Sequence, residues 1–394
     1  MIIENLLTNS QWISLIDRYR LEPDSTLPKT ELVSVRHESV LQDSATQYRE
    51  RILAQYPSFM GDRSYLYHSR SALFQVNYAL VRPNSHSVYS SQGQELPITY
   101  SSYQHYLTSK TLWRAGHNDA CYIPIAGATT YRSNHTGAEE IKGTSLLLAS
   151  HEDQNNYWHW TFDCISRLIV MVNESPDHFG SVDNVVILSP TGYQRFQREY
   201  LDALRHLFPD KRIIVSSDSL ICETLYVYNT STPLIHCHNQ LRQLRHGIAN
   251  LFGIQLYNSD NPIRLYIRRR GLARNGRLLE NENDVCSKLE RYGFVSVDPA
   301  NHGIKVQLEL FASSEIVAGV HGSGFVNMLT MSPNSKVVEL VGETYTPVHD
   351  KILASQLSLV YHELYLASKG SEFCSNYTCV PNDLAESILD ISSK

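Results

Sequence analysis

From Ile263 onward, short apolar runs alternate with stretches of helical periodicity, and no other feature of the chain constrains its fold as tightly. The spacing predicts strands at Ile263–Arg269, Phe294–Asp298, Glu315–Val320, Lys336–Val341 and Leu359–Leu366. Between them it predicts helices at Glu282–Tyr292, Lys305–Ser313, Phe325–Met331 and Pro347–Leu357. Strands that are apolar throughout bury both faces, so they belong in a parallel sheet covered by helices on each side. Asn281 stands where a side-chain oxygen caps a helix start, and Gly293 where a left-handed residue stops the same helix. The fold class is therefore α/β.

A second run of the same kind precedes it. Strands are expected at Thr144–Ala149, Val185–Ser189, Arg212–Ser216 and Thr224–Tyr228, with helices at Trp158–Val172 and near Gln240–Leu251. Tyr193–Phe208 reads as an amphipathic helix with Phe196, Tyr200, Leu204, Leu207 and Phe208 on one side. The turn formers Asn258–Pro262 mark a boundary. Residues 1–258 then form one α/β domain, 259–368 a second, and 369–394 a tail. The first 140 residues are poorly legible, beyond a short amphipathic pattern at Trp12–Tyr19 and strand-rich stretches at Arg70–Val81 and Ser87–Tyr100.

Lys and Arg number 34 against 40 Asp and Glu, a net charge of -6, so no general basic field attracts nucleic acid and any anion site is local. Nucleic acid is not an expected partner. Met1–Leu7 carries an acid where an export signal has a base, and no run of about 18 apolar residues occurs. These features suggest a cytoplasmic chain, with peripheral contact at the inner face of a bacterial membrane as the most that is expected. The seven scattered cysteines suit free thiols. His236-Cys237-His238 and Cys374 with Cys379 lack the paired spacing of a zinc site, so no metal and no cofactor are expected. Serine-hydrolase and P-loop signatures are missing, as is any Asp-x-Asp.

Three segments carry chemistry. In Glu315–Asn327 an apolar strand runs into His321-Gly322-Ser323-Gly324 and opens a helix, an arrangement whose free backbone N–H groups suit phosphate. Its glycine order, Gly319-x-x-Gly322-x-Gly324 on a third strand, is not the dinucleotide order, which argues against NAD. Arg264, Arg268, Arg269, Arg270, Arg274 and Arg277 cluster near the end of one strand and the loop after it. Guanidinium forks match phosphate oxygens. In an open parallel sheet both devices fall at the carboxyl edge, where ligands bind. In Asn156–Asp163, His159 and Asp163 share a helix face, as a proton-transfer pair would, and Trp158 and Trp160 offer flat faces to a sugar.

In order, these segments resemble glycosyltransferase family 61. The family pattern is met by Asn156, His159 and Asp163, then by Arg269, Arg270, Arg277, Leu279, Asn281 and Glu282, and then by Gly319, His321, Gly322, Gly324, Asn327 and Glu339. Trp158 stands for the usual Tyr or Phe, Arg268 for Ser, Ser323 for Ala and Val306 for Glu. The resemblance implies a GT-B plan of two Rossmann-like domains facing across a cleft, and inverting, metal-independent transfer from a nucleotide-sugar, here a UDP-sugar, to a glycan or lipid-linked glycan hydroxyl. Bacterial capsule or surface polysaccharide is the expected setting. Arg269, Arg270, Arg277, His321, Gly322, Ser323, Gly324 and Asn327 then bind the donor, with Glu282 and Glu339 beside them. Asn156, Trp158 and Trp160 meet the acceptor, and Asp163 or His159 is the base. A non-catalytic carbohydrate-binding protein and an NAD-linked enzyme are the competing readings.

Overall fold

The computed structural model describes residues 72–82, 88–90, 95–96, 123–124, 131–132, 138–148, 155–189, 193–229, 238–257, 261–269, 277–342, 349–369 and 376–393. The amphipathic run Trp12–Tyr19, Arg270 and Arg274 lie outside them. The chain divides into two compact units at Leu244/Arg245, within the helix His238–Phe252 and ahead of the turn formers at Asn258–Pro262. Among the described residues no helix is long and apolar enough to cross a membrane.

The first unit is built on β1 (Ala72–Val81), β2 (Val88–Tyr89), β3 (Glu95–Leu96), β6 (Glu139–Leu148), β7 (Asn184–Leu188), β8 (Arg212–Ser216) and β9 (Leu220–Asn229), with a separate two-stranded ribbon of β4 (Ile123–Pro124) and β5 (Tyr131–Arg132). Its sheet runs β3-β2-β1-β9-β6-β7-β8. The four strands β9-β6-β7-β8 are parallel, and β1 closes antiparallel on β9. The chain leaves β6 toward β7 and later returns to its other flank with β9, so the order reverses at β6. The amphipathic helix spans Arg195–Leu207; Tyr200, Leu201 and Leu204 face inward, whereas Leu207, expected on the same face, is 38% exposed at the final turn.

The second unit contains β10 (Ile263–Ile267), β11 (Phe294–Val297), β12 (Ser314–Val320), β13 (Lys336–Gly342), β14 (Val360–Ser368) and β15 (Tyr377–Thr378), in the order β11-β10-β12-β13-β14-β15. Every pair is parallel except the last. The chain moves outward from β10 to β11 and comes back to β12 on the opposite flank. Reversal there opens a crevice outside the carboxyl ends of β10 and β12.

Three expectations change. The segment after β12 is a 3₁₀ helix, Ser323–Thr330, because it turns straight off a strand and closes with an i→i+3 bond from Phe325 N–H to Gly322 O at 3.1 Å. Asn281 occupies the helix-start position but does not cap it; its Nδ2 donates to Cys379 O at 2.6 Å. Gly293, by contrast, is left-handed as expected, at φ 82°. Residues 376–393 are no tail. β15 extends the sheet, and the helix Pro381–Ser393 puts Leu384, Ala385 and Ile388 into one core with Val285 and Leu289.

That closure has a measurable consequence. A Cβ at Gly342 would lie 2.2 Å from Tyr377 Cε1, and Tyr377 is fully buried, so its ring has nowhere to go. Gly342→Ala should therefore destabilise by about 1–3 kcal/mol, the usual cost of overpacking, read as a lower urea midpoint.

Candidate active site

In the second unit, β10 ends by delivering Arg268 and Arg269 to the crevice, and β12 ends by delivering His321 and the glycine turn. The two meet. Arg269 Nη1 donates to His321 O at 3.0 Å. A Cβ at Gly322 would lie 2.1 Å from that Nη1, so the guanidinium lies where a side chain at 322 would sit. Gly322 is required by this close approach and not by its backbone, which is extended at φ 173°. Gly324 is less constrained, with Pro299 Cγ 3.9 Å from its would-be Cβ. Ser323 is half-buried beside it.

Glu282 is buried, and it fixes the strand end: its Oε1 accepts the Arg269 backbone N–H at 3.0 Å and its Oε2 lies 3.7 Å from Arg268 Nε. A carboxylate so occupied fastens the end of the strand beside the candidate donor site. Arg277 is left-handed at φ 62°, a strained backbone for a non-glycine residue. The chain after it is tied down by Leu278 N–H to Asn376 Oδ1 at 3.1 Å and Tyr377 N–H to Leu278 O at 2.8 Å. Arg264 is not part of the cluster; it pairs with Glu315 at 2.7 Å near the opposite end of β10.

Two donor-binding assignments are corrected by burial. Asn327 is fully buried, and its Nδ2 donates to Gln307 Oε1 at 3.1 Å, bracing the 3₁₀ helix against the helix Ile304–Ala312. Glu339, also fully buried, faces the His321 ring and accepts the Tyr361 hydroxyl, so it cannot reach a ribose. His321 Nδ1 is also 3.1 Å from Asp350 Oδ2. Sequence reasoning missed Asp350 and Tyr361, since strand pairing and a helix docked on the sheet bring them in from 29 and 40 residues away (350 − 321 and 361 − 321). Burial alone would push the His321 imidazole down, but Glu339 and Asp350 outweigh it and carry it up to about 9. Burial, and next the Asp350 charge, push Glu339 up to about 8 against the pull of His321. The three ligand-type atoms lie within 4.8 Å of one another. Nδ1 faces both carboxyl groups, a spacing that suits shared protons and equally a bound cation.

The sign of the pH effect follows. Both folded values exceed the unfolded ones, so the folded state holds protons that the unfolded chain releases. The His321 contribution is complete below about pH 6.5 and is lost as pH rises through about 9. The Glu339 contribution is lost on the same side, as pH climbs toward 8. Thermal midpoints should fall between pH 6.5 and 9, and Glu339→Gln should flatten that fall.

The first unit positions the His–carboxylate pair by an irregular helix. Asn156 caps it, accepting Trp158 N–H at 2.9 Å, and Tyr157–His159 leads into a π turn, Trp160–Ile165, before the regular helix Ser166–Glu174. In the π turn Ser166 N–H bonds to Thr161 O. Side chains also bond carbonyls of this turn: Ser166 Oγ donates to Phe162 O at 2.5 Å and Arg167 Nε to Asp163 O at 2.7 Å. Such π turns recur at functional sites. His159 Nδ1 and Asp163 Oδ2 are 2.7 Å apart, with side chains 28% and 20% exposed, close enough to share a proton and open enough to be reached. Trp160 is corrected: it is fully buried against Phe196 and Tyr200, so neither ring face is offered to a sugar. Trp158 is only partly covered, its ring tilted 38° against Phe162 with centroids 4.4 Å apart.

A strand-order reversal lined by a guanidinium, an imidazole and a glycine turn gives this α/β protein a candidate ligand site. Comparison with known families narrows this. Residues 157–338 match the family model described as Glycosyltransferase 61. It is 30% identical over 96 residues to a beta-1,2-xylosyltransferase of Oryza sativa subsp. japonica, covering 22% of this chain and 18% of that protein. A beta-1,2-xylosyltransferase of Arabidopsis thaliana is 25% identical over 73 residues, covering 18% of this chain and 14% of its own. The aligned stretches thus span less than a fifth of either relative.

Proposed function

We propose that the chain is an inverting glycosyltransferase that moves a sugar from a UDP-sugar to a glycan hydroxyl, on a GT-B plan and without a bound metal. The observation that carries this reading is the bond from Arg269 to His321 O over Gly322, at the reversal point of the parallel sheet. Breaking the donor's anomeric C–O bond leaves its electron pair on the diphosphate. Cationic groups held in place before the reaction stabilise that charge without reorganising. Arg269, Arg277 and His321 fill that role, with Ser323 and Gly324 backbone beside them. The acceptor oxygen forms its new bond to the anomeric carbon from the opposite face, and its proton passes to His159. The imidazole's Nδ1 is engaged by Asp163, so Nε2 is the accepting atom.

The test is UDP release from a panel of UDP-sugars, UDP-xylose included because the two plant relatives are xylosyltransferases. One acceptor arm holds bacterial surface glycans and the other plant-type glycans. Acceptor-dependent release from at least one donor is expected. UDP binding with no turnover on any acceptor would favour a carbohydrate-binding role instead, and binding of NAD but not UDP would end the transferase reading.

A further inference from the structure

The cluster beneath the glycine turn is costly to bury. Glu339 is fully buried, Asp350 is 2% exposed, and the His321 side chain only 12%. Two carboxyl groups and an imidazole removed from water are tolerated only when their charges cancel. They converge on a single atom: His321 Nδ1 faces Glu339 Oε1 and also Asp350 Oδ2 at 3.1 Å. Tyr361 donates its hydroxyl to the other Glu339 oxygen. Asp350 Oδ1 has no hydrogen-bond partner, so the favourable contact of that buried carboxyl is made through its other oxygen, toward the ring. From the β10 side, Arg269 reaches the His321 carbonyl.

We infer that Asp350 and Glu339 are positioning residues that keep the His321 ring protonated on both nitrogens, so that the turn after β12 offers a fixed N–H donor to the donor's diphosphate. This rests on the nucleotide-sugar reading above. A histidine in water loses half its charge near pH 6.5, and a phosphate site built on it would weaken at neutral pH. Placing one carboxyl group on β13 and another on the helix His349–Gln356 removes that weakness, since neither belongs to the segment that contacts the ligand. The groups that set the charge on the ring are then Glu339 and Asp350, with Tyr361 acting on Glu339 and Arg269 opposing from the carbonyl side.

The experiment uses the full chain. Histidine ring signals are followed by NMR against pH, His321 being assigned by its loss in His321→Gln, and UDP affinity is measured by calorimetry from pH 6 to 9. In the unaltered protein His321 should stay protonated past pH 8, and UDP affinity should be flat up to that point. Asp350→Asn should lower the His321 midpoint by about one unit or more and make UDP affinity fall about tenfold across the new midpoint. Asp350→Glu should restore most of both. Glu339→Gln gives the same test should Asp350→Asn fail to fold. An unchanged midpoint and an unchanged affinity profile in these variants overturn the inference. So does a stoichiometric divalent metal in the purified protein that Asp350→Asn abolishes, because the cluster would then be a cation site. If the midpoint falls as expected but the unaltered protein binds no UDP at any pH, the nucleotide-sugar reading fails, and with it the proposed role of the charge.

Discussion

Arg269→Ala should weaken UDP binding roughly 30- to 1,000-fold, and Arg269→Lys should fail to restore it. The range corresponds to about 2–4 kcal/mol, the loss of one or two hydrogen bonds to a charged oxygen. Lysine fails for a geometric reason. The native guanidinium donates through Nη1 to His321 O at 3.0 Å, and its planar fork can donate to a second oxygen in a fixed direction. A single ammonium cannot do both along the same directions. Gly322→Ala is an independent probe of the same contact. The new Cβ would sit 2.1 Å from Arg269 Nη1, which is the far end of a flexible side chain, so the fold survives and the guanidinium moves. Its UDP affinity should fall toward that of Arg269→Ala, with a thermal midpoint close to the unaltered protein's. Calorimetric titration reads both. Unaltered affinity in Arg269→Ala and Gly322→Ala together would remove this edge from the donor site.

The meeting of Arg269 and His321 was legible because parallel α/β chemistry leaves little choice. Both follow apolar strands, so both emerge at the carboxyl edge, and the return of β12 to the far flank of β10 makes them neighbours. The side chains misjudged are those for which sequence gives position but not depth. Glu339 and Asn327 look like polar groups near a phosphate turn, yet one lies inside the central strand β13 and the other on the buried stretch Phe325–Thr330 of a 3₁₀ helix. Trp160 could have been read correctly. Positions two apart on a helix point about 200° from each other, so Trp158 and Trp160 cannot both face a ligand. Asp350 was beyond reach, because no local spacing links a helix after β13 to a ring after β12. The Tyr377 clamp on Gly342 is legible only once β15 is known to pair with β14.

Asp163→Asn and His159→Gln should each lower turnover about 10²- to 10⁴-fold while leaving the donor's affinity unchanged. The geometry sets the logic. With Nδ1 2.7 Å from Asp163 Oδ2, the carboxylate fixes the tautomer that leaves Nε2 to receive a proton, and it stabilises the imidazolium once formed. An asparagine amide facing Nδ1 can donate as well as accept, which allows the unproductive tautomer. The two residues act as a unit, so the double variant should be little worse than the poorer single one. Multiplicative losses would mean that they serve different steps. The reverse assignment, Asp163 as base with His159 orienting it, predicts a different ratio: His159→Gln would retain much of the rate, since glutamine can still hold the carboxylate by a hydrogen bond. Arg167 offers a control on the helix itself. Its Nε braces Asp163 O at 2.7 Å from one turn below, so Arg167→Lys should loosen the π turn and slow both assignments alike. A rate lost equally in His159→Gln and Asp163→Asn, and not regained by raising acceptor concentration, therefore points to proton transfer through the ring and not to acceptor placement.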